Sequence, residues 1–333
     1  MRQFKLKAWL KDRMWHFLGT VQEPFYTWLN ALANAWILFR HPERVTHPGT
    51  LYPDKTFYVI RDLPYSVGLA GWYDRVLGYV LRARKKGWIP IVVHDGDHKV
   101  EDVKSARGTW YTYFDAVSSF DPSDVGNFAN VVEATMHGVI HKRYRRSVVE
   151  ERHDVAVSCC LNAGTREFIE TRLRTLLNSR KCGVQVGVYF RGTDYRKTEN
   201  WCPIGHAAVP EYEVFCSEVE RTLCQWGVPV AEGQNLFVVT EEQGALEYLL
   251  AKYPKMLYVR KPRFKNFRFG VRIPDQTPEG VSHLENNRLY LLDIYALARC
   301  DYLIGGVNGG VLMALNINGN QYRGVHIIKT GVN

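Results

Sequence analysis

No two of the seven cysteines are spaced C-x-x-C, and their number is odd. Neither a disulfide framework nor a structural zinc site is indicated. No Asn-x-Ser/Thr acceptor occurs, and Met1–Arg13 alternates basic and apolar residues without the apolar core of a cleavable signal peptide. The expected compartment is reducing and cytoplasmic. Long apolar runs are missing too. Phe25–Phe39 (FYTWLNALANAWILF) is fifteen uncharged residues interrupted by Asn30 and Asn34, short of the roughly 20 that a spanning helix needs. There is no internal repeat, G-x-G-x-x-G fingerprint, Walker A loop, G-x-S-x-G elbow, H-E-x-x-H or kinase motif set. Dinucleotide redox chemistry, P-loop ATP hydrolysis and the serine-hydrolase, zincin and kinase readings thereby lose their usual signatures.

What is present is an ordinary globular composition, 46% hydrophobic and 23% charged. At 333 residues the chain is expected to form two cores rather than one. Lys and Arg number 43 against 34 Asp and Glu, a formal charge of +9. That surplus suits an anionic partner: a phosphate ligand, an acidic membrane or nucleic acid. The opening MRQFKLKAWLKDRMWHFL mixes basic residues with Trp and Phe. Two readings fit it, a helix lying in a membrane interface and an amphipathic helix packed on its own domain.

After a proline-rich break, Thr56–Ile60 (TFYVI) predicts a buried strand. A glycine-bearing turn, Gly68-Leu-Ala-Gly71, leads into a helix over Trp72–Lys86 and a second strand at Ile89–Val93. This β-loop-α-β unit is the mark of a parallel sheet flanked by helices. The aromatic stretch Trp110–Asp124 fits no element. The basic run 141–146 (HKRYRR) reads as a solvated face. Further on, helices are predicted over Arg166–Asn178, Tyr212–Trp226, Gln243–Lys252, Glu285–Cys300 and from Val311. Strands are predicted at Val184–Phe190, Leu236–Thr240, Met256–Val259, Tyr302–Ile304 and Val325–Ile328. Strict βα alternation predicts a second doubly wound domain, with the cleft between the domains as the default ligand site. The expected division is a basic helical segment at 1–50, an acceptor domain at 51–165 and a nucleotide-sugar domain at 166–333.

Four stretches could carry chemistry. Tyr302–Gly310 (YLIGGVNGG) runs a strand into four glycines and Asn308 before a helix. Glycines there let a ligand approach the backbone, and the helix start attracts phosphate. A tight turn without ligand is the plain alternative. In Tyr189–Asp194 (YFRGTD), Arg191 would stand at a strand's C-terminal edge and could grip a diphosphate bidentately. It could also pair with Asp194 to order the loop, and both can hold. Asp95-Gly96-Asp97 fits either a divalent metal or an acidic turn. Lys261–Arg272 (KPRFKNFRFGVR) carries five cations and three phenylalanines. It fits single-stranded nucleic acid or a loop closing over a diphosphate. Strict βα alternation favours the loop.

The stretches VGVYFRGTD and LYLLDIYALARCDYLIGGVNGG together resemble the fucosyltransferase superfamily, which includes α-1,6-fucosyltransferases, nodulation fucosyltransferases and protein O-fucosyltransferases. PDKTFYVIR, GLAGWYDRVLGYVLRARKKGWIPIVV and GTWYTYF resemble bacterial relatives whose core reads R-G-T-D-Y, so the likeness covers most of the chain after residue 50. The resemblance implies a GT-B-like α/β fold, two Rossmann-type doubly wound domains facing a cleft. It implies inverting, metal-independent transfer from GDP-fucose, which leaves Asp95 and Asp97 without a metal. It further implies Arg191 on the β-phosphate, Asp293 on guanine, and Asn308, Gly309 and Gly310 around the diphosphate. Tyr189 stands where the α-1,6 enzymes carry a guanine-reading His. Glu199 lies at the spacing of their proposed base.

The function expected is transfer of fucose to a glycan hydroxyl in surface polysaccharide or glycolipid synthesis, at the inner face of the plasma membrane and without a cofactor. Arg191, Glu199 and Asp194 are the candidate catalytic residues. Tyr189, Arg191, Gly192, Thr193, Asp293, Gly306, Asn308, Gly309 and Gly310 are candidates for donor binding. Gly68, Gly71 and Asp95 are candidates for the N-domain side of the cleft. The rivals are a transferase using another nucleotide sugar, a nucleotide-binding scaffold without turnover, and a basic nucleic-acid-binding protein.

Overall fold

The computed structural model describes residues 25–61, 68–93, 110–135, 146–178, 183–196, 208–267, 276–306 and 308–328. They divide into two compact units. One is drawn from residues before Ile169 together with Leu315–Asn320, the other from Ile169–Ala314 and the residues from Gln321.

The first unit opens with α1 (Phe25–Arg40), then β1 (Arg44–Thr46), β2 (Phe57–Arg61), α2 (Leu69–Lys85), β3 (Ile89–Val93), the single turn α3 (Trp110–Tyr113), β4 (Val131–Glu133), α4 (Arg146–Ser158) and the start of α5 (Ala163–Asn178). Its sheet runs β1-β4-β2-β3. The predicted β-loop-α-β unit is β2-α2-β3, with Phe57 opposite Ile89. Residues 57–60 are buried on both faces, which is why they read as an unbroken apolar run rather than an alternating one. Pro90 is tolerated because β3 is the edge strand. Strands β1 and β4, three residues each, carry too little pattern to be read from sequence. β4 joins parallel to β2 and β1 pairs antiparallel to it.

The unplaced stretch Trp110–Asp124 contains α3 and leads into a 3-10 turn, Pro122–Asn127, where Asp121 accepts from the Ser123 amide at 2.8 Å. Trp110 stacks on Phe114 with centroids 4.4 Å apart. An ion pair between the buried side chains of Asp74 and Arg152 ties α2 to α4. Of the basic run 141–146, only Arg146 lies within the described residues, at the start of α4.

The second unit carries β5 (Val186–Tyr189), α6 (Tyr212–Gln225), β6 (Leu236–Val239), α7 (Gln243–Lys252), α8 (His283–Leu297), β7 (Tyr302–Gly306), the first part of α9 (Gly309–Asn318) and β8 (Gly324–Ile328). All its strands are parallel, in the order β6-β5-β7-β8. Val186, Val188, Phe215, Val219, Leu236, Val238 and Leu249 are among the residues of its core. The predicted strand Met256–Val259 is instead a single bridge, Leu257 to Phe237. The Arg263 guanidinium takes the carbonyls of Val259 at 2.9 Å and Lys261 at 3.0 Å, acceptors that a longer ladder would need. The fold class is thus α/β, with a four-stranded sheet in each unit. Among the described residues, no helix is long and apolar enough to cross a membrane.

Candidate functional site

In the second unit the chain leaves β5 for β6 on one side and later returns to β7 on the other. The strand order therefore reverses between β5 and β7, and open α/β sheets bind ligands outside the carboxyl ends of the strands at such a point. Tyr189, the last residue of β5, sits opposite Gly305 in β7. This register brings the 190–193 segment beside Gly306 and the residues that open α9, from Asn308 on. Tyr189, Phe190, Arg191, Tyr195, Gly306 and Asn308 line a pocket there, together with Val209 and Pro210. Its cavity volume is about 30 Å³, room for water rather than for a whole nucleotide.

Arg191 is half-buried, with its guanidinium carbon 4.7 Å from the Tyr195 ring centroid, a cation–π distance. The loop after it is held from the neighbouring strand. Glu242, just beyond β6, accepts from the Thr193 amide at 2.6 Å, from Arg196 at 3.2 and 3.4 Å, and from the Tyr212 hydroxyl at 3.3 Å. A Cβ at Gly192 would stand 2.2 Å from Glu242 Oε1, so only glycine lets the carboxylate approach. Thr193 is fully buried with φ at +29°, a conformation that costs a β-branched residue on the order of 1–3 kcal/mol. Asp194 belongs to the turn Thr193–Tyr195, but its side chain lies outside what is described. Glu199 lies wholly outside the described residues.

Beneath the pocket, burial brings charges together. The hydroxyl of fully buried Tyr189 donates to Glu241 Oε1. Burial pushes the Glu241 carboxyl up, with the cations of Arg191 and Lys261 pulling the other way. Burial, and next the Glu241 charge, push the Tyr189 hydroxyl well above its usual value. The side chains of Asp293 and Lys261 form a second buried pair. Burial raises the Asp293 carboxyl and Lys261 offsets part of that. Its other oxygen, Oδ1, has no hydrogen-bond partner among the described residues.

The glycine loop divides by role. Asn308 sits before α9, accepting from the Val311 amide at 3.0 Å and donating to the Gly306 carbonyl at 3.3 Å, as an N-cap does. Gly309 opens the helix. A Cβ at Gly310 would lie 2.3 Å from Tyr189 Cε1 and 2.7 Å from the Tyr290 hydroxyl, so close packing by itself requires glycine there. At Gly306 a Cβ would meet, among the described residues, nothing nearer than the Asn308 amide nitrogen at 4.0 Å, so on that side its face is open. In the first unit, Gly68 sits before α2 and Gly71 in its first turn. Asp95 and Asp97 lie outside the described residues.

Solved fucosyltransferase structures are similar to this chain. The crystal structure of NodZ α-1,6-fucosyltransferase soaked with GDP-fucose is similar at 14% identity and a TM-score of 0.46, over 79% of this chain and 92% of that one. Fucosyltransferase NodZ from Bradyrhizobium is similar at 12% identity and a TM-score of 0.44, over 78% and 92%. The apo form of POFUT1 is similar at 9% identity and a TM-score of 0.39, over 84% and 99%. No family model matches the chain, and no curated protein matches it.

Sequence reasoning missed Glu241 and Glu242. Two acids directly after the strand LFVVT were a readable signal, because β6 neighbours β5 and presents its C-terminal edge to the same site. Of the basic stretch from Lys261, the described part places Lys261 on Asp293 and turns Arg263 inward to backbone carbonyls, including Thr240 at 3.0 Å. Residues 268–272 lie outside the described residues.

Proposed function

We propose that this chain is a glycosyltransferase that binds a nucleotide-sugar diphosphate where the strand order reverses between β5 and β7. The observation that carries this is the convergence there of Arg191, the open face of Gly306 and the amino end of α9. The first amides of a helix have no intrahelical acceptor, and with a guanidinium they form a site for a dianionic leaving group. In transfer, the bond from the anomeric carbon to the diphosphate breaks as the acceptor oxygen attacks. Negative charge grows on the departing diphosphate, where donors already in place stabilise it.

In this reading the donor is GDP-fucose, supported by the resemblance of the Arg191 and Asp293 motifs to those of fucosyltransferases. The unpartnered Oδ1 of Asp293 supports a contact to guanine N–H groups. The transfer is inverting and needs no metal. Glu199 takes the acceptor proton, with Asp194 and Asp95 as the other candidates. The acceptor is a glycan hydroxyl of a surface polysaccharide or glycolipid.

The test is a thermal-shift panel of GDP, UDP, CMP and their sugars, with and without chelator. Nucleotide at 100 times its dissociation constant adds about 2.7 kcal/mol of stability. GDP and GDP-fucose are expected to stabilise, with chelator making no difference. Stabilisation by none of the nucleotides overturns the site, and stabilisation by UDP or CMP alone overturns the donor.

A further inference from the structure

Helix α1 contains no acid, and Arg40 is its sole charge. Along it Trp28, Leu32, Trp36 and Phe39 are exposed by 55%, 48%, 61% and 83%. At 3.6 residues per turn these four fall within an arc of about 80°, so they form one stripe rather than scattered exposure. Ala31 and Ala35, also exposed, flank it. Burying large apolar groups is favourable by about 1.5–3 kcal/mol each, so a stripe of four with about half or more of each side chain exposed marks an interaction surface.

Composition and charge select the partner. Two indoles and a phenylalanine on a helix bordered by cations are the make-up of a segment lying at a membrane interface. The Arg40 guanidinium carbon stands 5.3 Å from the Trp36 ring centroid, and His41 and Arg44 beyond it are exposed. In sequence, the 24 residues before the helix hold Arg2, Lys5, Lys7, Lys11 and Arg13 against Asp12 and Glu23, and the whole chain carries +9. A second copy would bring like charges together, whereas an anionic leaflet opposes them with the opposite sign. Sixteen residues rise only about 24 Å, less than a bilayer core, so the helix lies along the surface and does not cross it.

We propose that α1 docks the protein on an anionic membrane surface, with Trp28, Leu32, Trp36 and Phe39 entering the acyl boundary and Arg40 and Arg44 at the headgroups. This surface is independent of the nucleotide site and of which sugar that site takes.

The experiment sediments the full chain with vesicles of phosphatidylcholine alone or with about one-third phosphatidylserine. The expected result is binding to the anionic vesicles roughly tenfold above the neutral ones, weakened by salt. The triple variant Trp28→Ser, Trp36→Ser, Phe39→Ser should lose roughly tenfold in binding with an unchanged melting temperature. Phe39→Ser alone, at the most exposed position, should lose severalfold and keeps the test open if the triple variant does not fold. Absence of binding to anionic vesicles, or equal binding by both variants, overturns the proposal. Concentration-dependent dimerisation without lipid, abolished in Phe39→Ser, overturns it in favour of a second copy.

Discussion

The Thr193 amide donates a 2.6 Å hydrogen bond to Glu242 Oε1. This single contact ties the loop that follows β5 to the start of α7 on the neighbouring strand. Thr193 is held at positive φ, and the carboxylate that holds it also takes Arg196 and Tyr212. Glu242 is therefore a positioning residue. It fixes the loop from which Arg191 lines the pocket.

Glu242→Ala should release that loop. Losing charged hydrogen bonds is worth roughly 1.5–3 kcal/mol, and the part of this felt by Arg191 should weaken nucleotide binding about tenfold. Glu242→Gln keeps an acceptor for the Thr193 amide and should fall between. Calorimetric titration with GDP decides, and equal affinity in Glu242→Ala and wild type would remove Glu242 from the site.

Arg191→Lys should fail to replace Arg191, because a point charge does not reproduce a planar fork. The expected loss of turnover is on the order of 10²–10³, that of one preorganised donor. Near wild-type turnover in both Arg191→Lys and Arg191→Ala refutes the role.

The glycines of the loop should separate in their effects. Gly310→Ala places a methyl 2.3 Å from Tyr189 Cε1, and overpacking of this kind costs about 1–3 kcal/mol. Gly306→Ala meets no described neighbour nearer than 4.0 Å and should melt like wild type while losing nucleotide affinity. Thermal melts with and without GDP check both, and an unstable Gly306→Ala protein would contradict the open face.

Glu241 predicts a pH dependence. Its folded carboxyl titrates above the ordinary 4.5 because of burial. Well below 4.5 it is protonated folded and unfolded alike. As pH rises, the unfolded chain ionises first, so this group's contribution to stability declines until the folded carboxyl ionises too. Glu241→Gln removes that decline. As pH rises from 4.5, the variant's melting temperature should gain on wild type, and a gap that narrows with rising pH would contradict the burial argument.

Several elements were legible because their signals are local. The apolar runs IPIVV and LFVVT and the helical spacing of Gln243–Lys252 place β3, β6 and α7 within a residue of where they stand. Strands β1 and β4 were not legible, because three residues hold too little pattern and gain their order from pairing. The Met256–Val259 segment misled because its apolar run is strand-like, while Arg263 takes up the carbonyls.

Local pattern by itself determined that a buried strand runs through Tyr189 with Arg191 close beyond it, its end read one residue late at Phe190, and that another ends in glycines before a helix. Only the tertiary structure decided that Glu242, 49 residues from Thr193, holds the loop. It alone assigned Gly310 to packing and left Gly306 open, and it set Asp293 against Lys261. The reason is register. Tyr189 faces Val239 on one side and Gly305 on the other, and that parallel alignment is a long-range property that no run of neighbouring residues encodes.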